Sequence, residues 1–165
     1  MATRTRVGPV CLILLLAIIL EVLPLPDTLE LLRPPFPAIV VIYWTMMWPN
    51  RFGIGAAWLT GLVLDILHGS ILGQNALALS IIAYITLRFH LQIRIFPLWQ
   101  LTLSVFALLV AEEFLVLWIN GVAGIDTGGY GRWTRIIVGT LLWPPLMALM
   151  DGVRLRIESR RSSFN

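Results

Sequence analysis

The chain has 165 residues, 58% of them hydrophobic and 13% charged, with a mean hydropathy of +0.87 and a formal net charge of +3. A water-soluble domain carries about a quarter charged residues, so these polar side chains cannot coat a globule and the solvent has to be lipid. The one cysteine, Cys11, forms no internal disulfide, and no nucleic-acid partner is expected.

The apolar runs fall at about 7–25, 36–48, 52–67, 71–88, 95–119 and 135–153. They are unbroken rather than alternating, which points to helices, the element that satisfies its own backbone groups within one run. With roughly 20 residues per crossing, the expectation is an all-α bundle of about six transmembrane helices. It forms a single polytopic domain, 1–165, with no separate soluble part.

In chain order, MATRTR followed by Val7 to Leu20 imitates a secretory signal. No small-x-small cleavage site follows, so the segment reads as an uncleaved first span. The second run is short, bounded by Pro34, Pro35 and Pro37 before it and Pro49 after it, and its length also suits a re-entrant segment. Arginine counting decides between the two. Six crossings with the N-terminus inside put nine arginines in the cytoplasm and leave Arg33, Arg132 and Arg135 outside; a non-crossing second run reverses this to four inside and eight outside. The positive-inside bias favours six crossings and an N-in, C-in topology. On that topology Glu21, Asp27, Glu30, Asp65, Glu112, Glu113 and Asp126 fall in the outer half, and only Asp151 and Glu158 inside. Trp48, Trp99, Trp118 and Trp133 sit at the expected water boundaries, where indole prefers to lie.

The third run carries Gly53, Ala57, Gly61, Asp65 and Gly69 at four-residue spacing, along one line of a helix. Small residues at that spacing let another backbone approach closely. An acid on the same line needs a partner or a water path. The line reads either as a helix-packing or partner-contact face, or as a smooth face whose acid emerges at the interface. His68 and His90 lack a second ligand at metal spacing, so no metal or cofactor is expected.

Glu112 and Glu113 in the fifth run point ~100° apart. One is expected to pair with Arg135 or Arg132 while the other reaches water; cation binding or proton transfer is the alternative. The following NGVAGIDTGGYGRWT, 120–134, holds five glycines and reads as a mobile loop, since a phosphate cradle needs a preceding strand and a lysine. In the sixth run Pro144 and Pro145 each remove a backbone donor, so a kink is expected there. The arginine-rich tail 154–165 reads as a topological anchor or an anionic-lipid contact. No acyl-transfer triad or intramembrane protease pair is present in the sequence, and the chain is not expected to be an enzyme.

An ordered series of landmarks resembles the bacterial rod shape-determining MreD family. The first span ends in LPLPD; RPPF leads into an aliphatic run with Tyr43 and Trp44, followed by Pro49 and Arg51. Next come Gly61, Asp65, Gly69 and Gly73 at four-residue steps, then ALSIIAY at 78–84, FPLWQ at 96–100 and LLWP before the basic tail. The match covers nearly the whole chain and is most specific over 49–100. The resemblance implies a non-enzymatic, multi-pass inner-membrane component of the elongation (Rod) machinery that directs peptidoglycan synthesis and rod shape. It acts beside the bitopic protein MreC, and with MreB, RodA and a class B penicillin-binding transpeptidase directly or indirectly. The family is also similar in topology to the substrate-capture (S) components of energy-coupling-factor transporters, so a small-molecule capture subunit is the alternative.

Overall fold

In the computed structural model, residues 8–30, 32–125 and 131–162 are described, with side chains described throughout except at 27, 28 and 157–162. Part of the glycine-rich connection, 126–130, with Asp126, lies outside them. So do Arg4 and Arg6 at one end and the last three residues at the other, while Arg160 and Arg161 are described by backbone alone.

Every regular element among the described residues is helical: α1 (Gly8–Val22), a single turn α2 (Asp27–Glu30), α3 (Phe36–Met47), α4 (Ile54–His68), α5 (Gln74–Ile95), α6 (Leu98–Val122) and α7 (Gly131–Ser162). Proline and glycine set the boundaries. Pro35 and Pro37 open α3 where a helix has no intrahelical use for the N–H, and Pro97 opens α6 in the same way. Gly69 ends α4 in the left-handed region at φ 61°, with the amides of Gly69 and Ser70 both returning to the Asp65 carbonyl. That is the glycine C-cap, available at no Cβ penalty. Gly124, at φ 70°, closes the end of α6.

Three helices are long and apolar enough to cross a membrane on their own: α5, α6 and the Gly131–Arg156 part of α7. The 25 residues of α6 extend about 38 Å, beyond the ~30 Å hydrocarbon core. The other three main helices are shorter, α3 most of all at 12 residues, about 18 Å. α3 can be short because lipid does not surround it. Every residue from Pro37 to Met46 is buried, and α1, α5, α6 and α7 all pack on it. A helix that is apolar on all sides is a core element. Outside it, Leu12, Ile66, Leu103, Phe114, Trp118 and Leu141 project outward, as a lipid-facing surface requires.

Hydroxyls inside the bundle are satisfied locally. Thr45, Thr60, Ser80, Thr86, Ser104 and Thr140 each donate to the carbonyl four residues back at 2.6–2.8 Å, a pattern suited to lipid because it leaves no donor exposed. α7 stays helical through Pro144 and Pro145. The two prolines withdraw the N–H groups that would have served the carbonyls of Thr140 and Leu141.

Candidate functional site

The C-terminal ends of α1, α4 and α6 and the N-terminal ends of α3, α5 and α7 gather at one end of the bundle. This end carries most of the acids, and its polar side chains form two clusters of different character.

The first is built on Asp65, 1% exposed near the end of α4. Its Oδ1 accepts from Ser70 Oγ at 2.9 Å, the Asn75 amide at 2.9 Å and Asn75 Nδ2 at 2.8 Å. Its Oδ2 accepts from the amides of Gly73 at 2.9 Å and Ala76 at 3.3 Å. Gly73 is the N-cap of α5, so Asp65 caps the next helix through space. It supplies the acceptor that the first-turn N–H groups lack and sets a negative charge against the positive end of the α5 dipole.

Gly61, one turn earlier, makes that approach possible. A Cβ there would lie 2.4 Å from Ala76 Cα and 2.5 Å from the Asn75 carbonyl oxygen, so only glycine admits the α5 backbone. Ala57 on the same line is fully buried. Gly53 and Gly69 differ: a methyl at either meets nothing within 4 Å, and Gly69 serves the left-handed turn instead. The small-residue line therefore brings together α4 and α5 of one chain, with the close approach concentrated at Gly61.

The second cluster joins α1, α6, α7 and the connection leading into α3. Arg135 forms an ion pair with Glu21 and donates from Nε to the Arg33 carbonyl at 3.1 Å. Arg33 in turn donates to the carbonyls of Glu21 and Leu23 at the end of α1, where a cation also complements the helix dipole. Arg132 Nε lies 2.5 Å from Glu113 Oε1, an ion contact without hydrogen-bond alignment. Glu112 stands within electrostatic reach of Glu113, Arg135, Glu21 and Arg132. The sequence pairs one of Glu112 and Glu113 with Arg135 or Arg132. The structure gives Glu113 to Arg132 and Arg135 to Glu21, and places all of them on one cavity of 1420 Å³.

Four contributors escape the sequence reading: Glu21, Arg33, Ser70 and Asn75. The signal for the first two was available, since only three arginines were assigned to this end and each needed an acid or a carbonyl there. Asn75 could not be read, because its role depends on where the turn 69–73 delivers the start of α5.

At the opposite end, Tyr43 Oη donates to Asp151 Oδ1 at 2.5 Å, while Arg154 Nη1 lies 3.5 Å from that carboxylate oxygen and 2.8 Å from Met47 Sδ. This ties α3 to α7. Among the described residues no group of three His, Cys, Asp or Glu side chains is placed to hold a metal ion.

A family model described as rod shape-determining protein MreD matches residues 3–153. The rod shape-determining protein MreD of Haemophilus influenzae is 31% identical over 146 residues, covering 87% of this chain and 88% of that protein. No solved structure matches the chain.

Proposed function

Because the chain belongs to the MreD family of rod shape-determining proteins, we propose that it is a non-enzymatic, multi-pass component of the inner-membrane elongation complex. In this reading it binds MreC and supports spatially directed peptidoglycan synthesis, with MreB, RodA and a class B penicillin-binding transpeptidase as direct or indirect partners. The observation that carries the reading is the family match along 3–153 of a chain whose regular elements among the described residues are all helical, three of them long and apolar enough to cross a membrane. The whole chain acts as one domain with six crossings and both termini cytoplasmic. The gathering of alternate helix ends at the acidic end supports that topology, as does the placement of Arg51, Arg88, Arg94, Arg154 and Arg156 toward the other.

The Gly61–Asp65 part of the small-residue line is occupied by α5 of the same chain, so a partner would reach Gly61 or Asp65 only by displacing α5. MreC is therefore proposed to bind elsewhere, and loss of MreC on changing Gly61 would report a lost fold. The test is a mild-detergent pull-down of the full chain from its native membrane. Stoichiometric recovery of MreC is expected; its absence from a folded, monodisperse preparation contradicts the proposal.

The 1420 Å³ cavity favours a second reading, a capture subunit similar to the S components of energy-coupling-factor transporters. That reading requires an ATPase-coupling module in the same pull-down, and recovery of such a module without MreC would select it.

A further inference from the structure

We propose that the cavity at the acidic end seats the headgroup of an aminophospholipid, with its primary ammonium held by the α1, α5 and α6 acceptors. The cavity is lined by four carboxylates, Glu21, Glu30, Glu112 and Glu113, against the three guanidiniums of Arg33, Arg132 and Arg135. Its buried polar atoms without a hydrogen-bond partner are unequally divided. Three are acceptors, Glu21 Oε2, Gln74 Oε1 and Glu113 Oε1, the last held only by its unaligned ion contact with Arg132; one is a donor, Arg33 Nε. The residues bearing the acceptors are 6%, 5% and 8% exposed. Gln74 and Glu113 project from different helices, α5 and α6, onto the same space.

A buried acceptor left unmatched costs about 1–3 kcal/mol, so the complementary group is a cation rich in N–H donors. A primary ammonium offers three. A quaternary ammonium offers none and is recognised instead by an aromatic cage, whereas no Phe, Tyr or Trp lines this cavity among the described residues. The single orphan donor on Arg33, beside Arg132 and Arg135, suits the phosphate of the same headgroup. The volume far exceeds what one ion fills. Leu23, Leu67 and Ile71 on its wall give the glycerol and upper acyl chain an apolar margin, and a cavity at the end of a membrane bundle opens at headgroup level. These features select a lipid-borne amine over a water-borne one.

The test uses the purified full-length chain, exchanged against vesicles that contain phosphatidylethanolamine, its N-methyl and N,N-dimethyl forms, phosphatidylcholine or phosphatidylglycerol. Retained lipid is read by native mass spectrometry. N-methylation removes donors one at a time at constant charge, so retention should fall stepwise, with phosphatidylethanolamine held about tenfold over phosphatidylcholine. Glu112→Gln and Gln74→Leu, at unchanged melting temperature, should each reduce that preference. Glycerophosphoethanolamine, the headgroup without acyl chains, should compete poorly. Equal retention of the choline lipid, preference for phosphatidylglycerol, or an unchanged preference in both variants would overturn the proposal. Competition by glycerophosphoethanolamine as strong as that of the lipid would overturn it in favour of a soluble amine.

Discussion

The two polar clusters at the acidic end of the bundle lie side by side and are finished to different degrees. Asp65 receives five hydrogen bonds from the turn and first residues of α5, and none of its oxygens is left unmatched. The Glu21–Arg33–Arg135 and Glu113–Arg132 contacts hold three helices and the connection before α3 together yet leave acceptors unmatched around an open space. A fully satisfied polar network buried in a helix bundle specifies one arrangement. A partly satisfied one beside a cavity has bonding capacity left for something else. On this comparison we read Asp65 as architecture and propose the cavity beside Glu112 and Glu113 as the place where the molecule meets a ligand.

The largest expected effects test the first half of that contrast. Gly61→Leu drives a side chain into the α5 backbone, and Asp65→Leu strands the first-turn amides of α5 without an acceptor. Each should lower stability by about 3 kcal/mol or more, seen as loss of a cooperative thermal transition in detergent. A Gly61→Leu protein with wild-type melting would break the account of the close approach.

Asp65→Asn sharpens it. The amide keeps one acceptor but loses the charge and a second acceptor atom, so a drop of about 1–2 kcal/mol is expected in the same measurement. Smaller again is the coupling between Glu21 and Arg135. A double-mutant cycle with Glu21→Gln and Arg135→Gln should return about 1 kcal/mol, and a value near zero would remove that pair from the list of contacts holding α1 to α7. Gly53→Ala should change stability by less than about 0.5 kcal/mol, because a methyl there meets nothing. A large loss at Gly53 would show that the small-residue line has a second close contact, outside this chain.

Each apolar run overlaps a helix of the structure, and where the ends differ the reason is physical. A run marks the section of chain in lipid, whereas a helix stops where its backbone is forced to. The run 71–88 became Gln74–Ile95 because Gly73 sets the start and nothing breaks the backbone until Pro97; Arg88, His90 and Arg94 simply carry the helix out of the apolar layer. The described part of α7, Gly131–Ser162, likewise runs past both ends of the apolar run 135–153. In the other direction, 7–25 shortened to Gly8–Val22 ahead of Pro24. The Gly61–Asp65 spacing reads as a close-packed line, but spacing alone does not name the neighbour, which at Gly61 is α5. The sequence puts three arginines and several acids at one end, but which arginine meets Glu21, Glu113 or a backbone carbonyl rests on which helix ends meet in three dimensions.

The contrast between the clusters is tested most directly in rod-shaped cells depleted of their own MreD and supplied with this chain as wild type, Asp65→Asn or Glu112→Gln, with membrane abundance and cell shape read together. The account predicts that Asp65→Asn loses shape only in proportion to lost abundance, while Glu112→Gln accumulates normally and still fails to maintain rods. Normal rods from Glu112→Gln at normal abundance would contradict it.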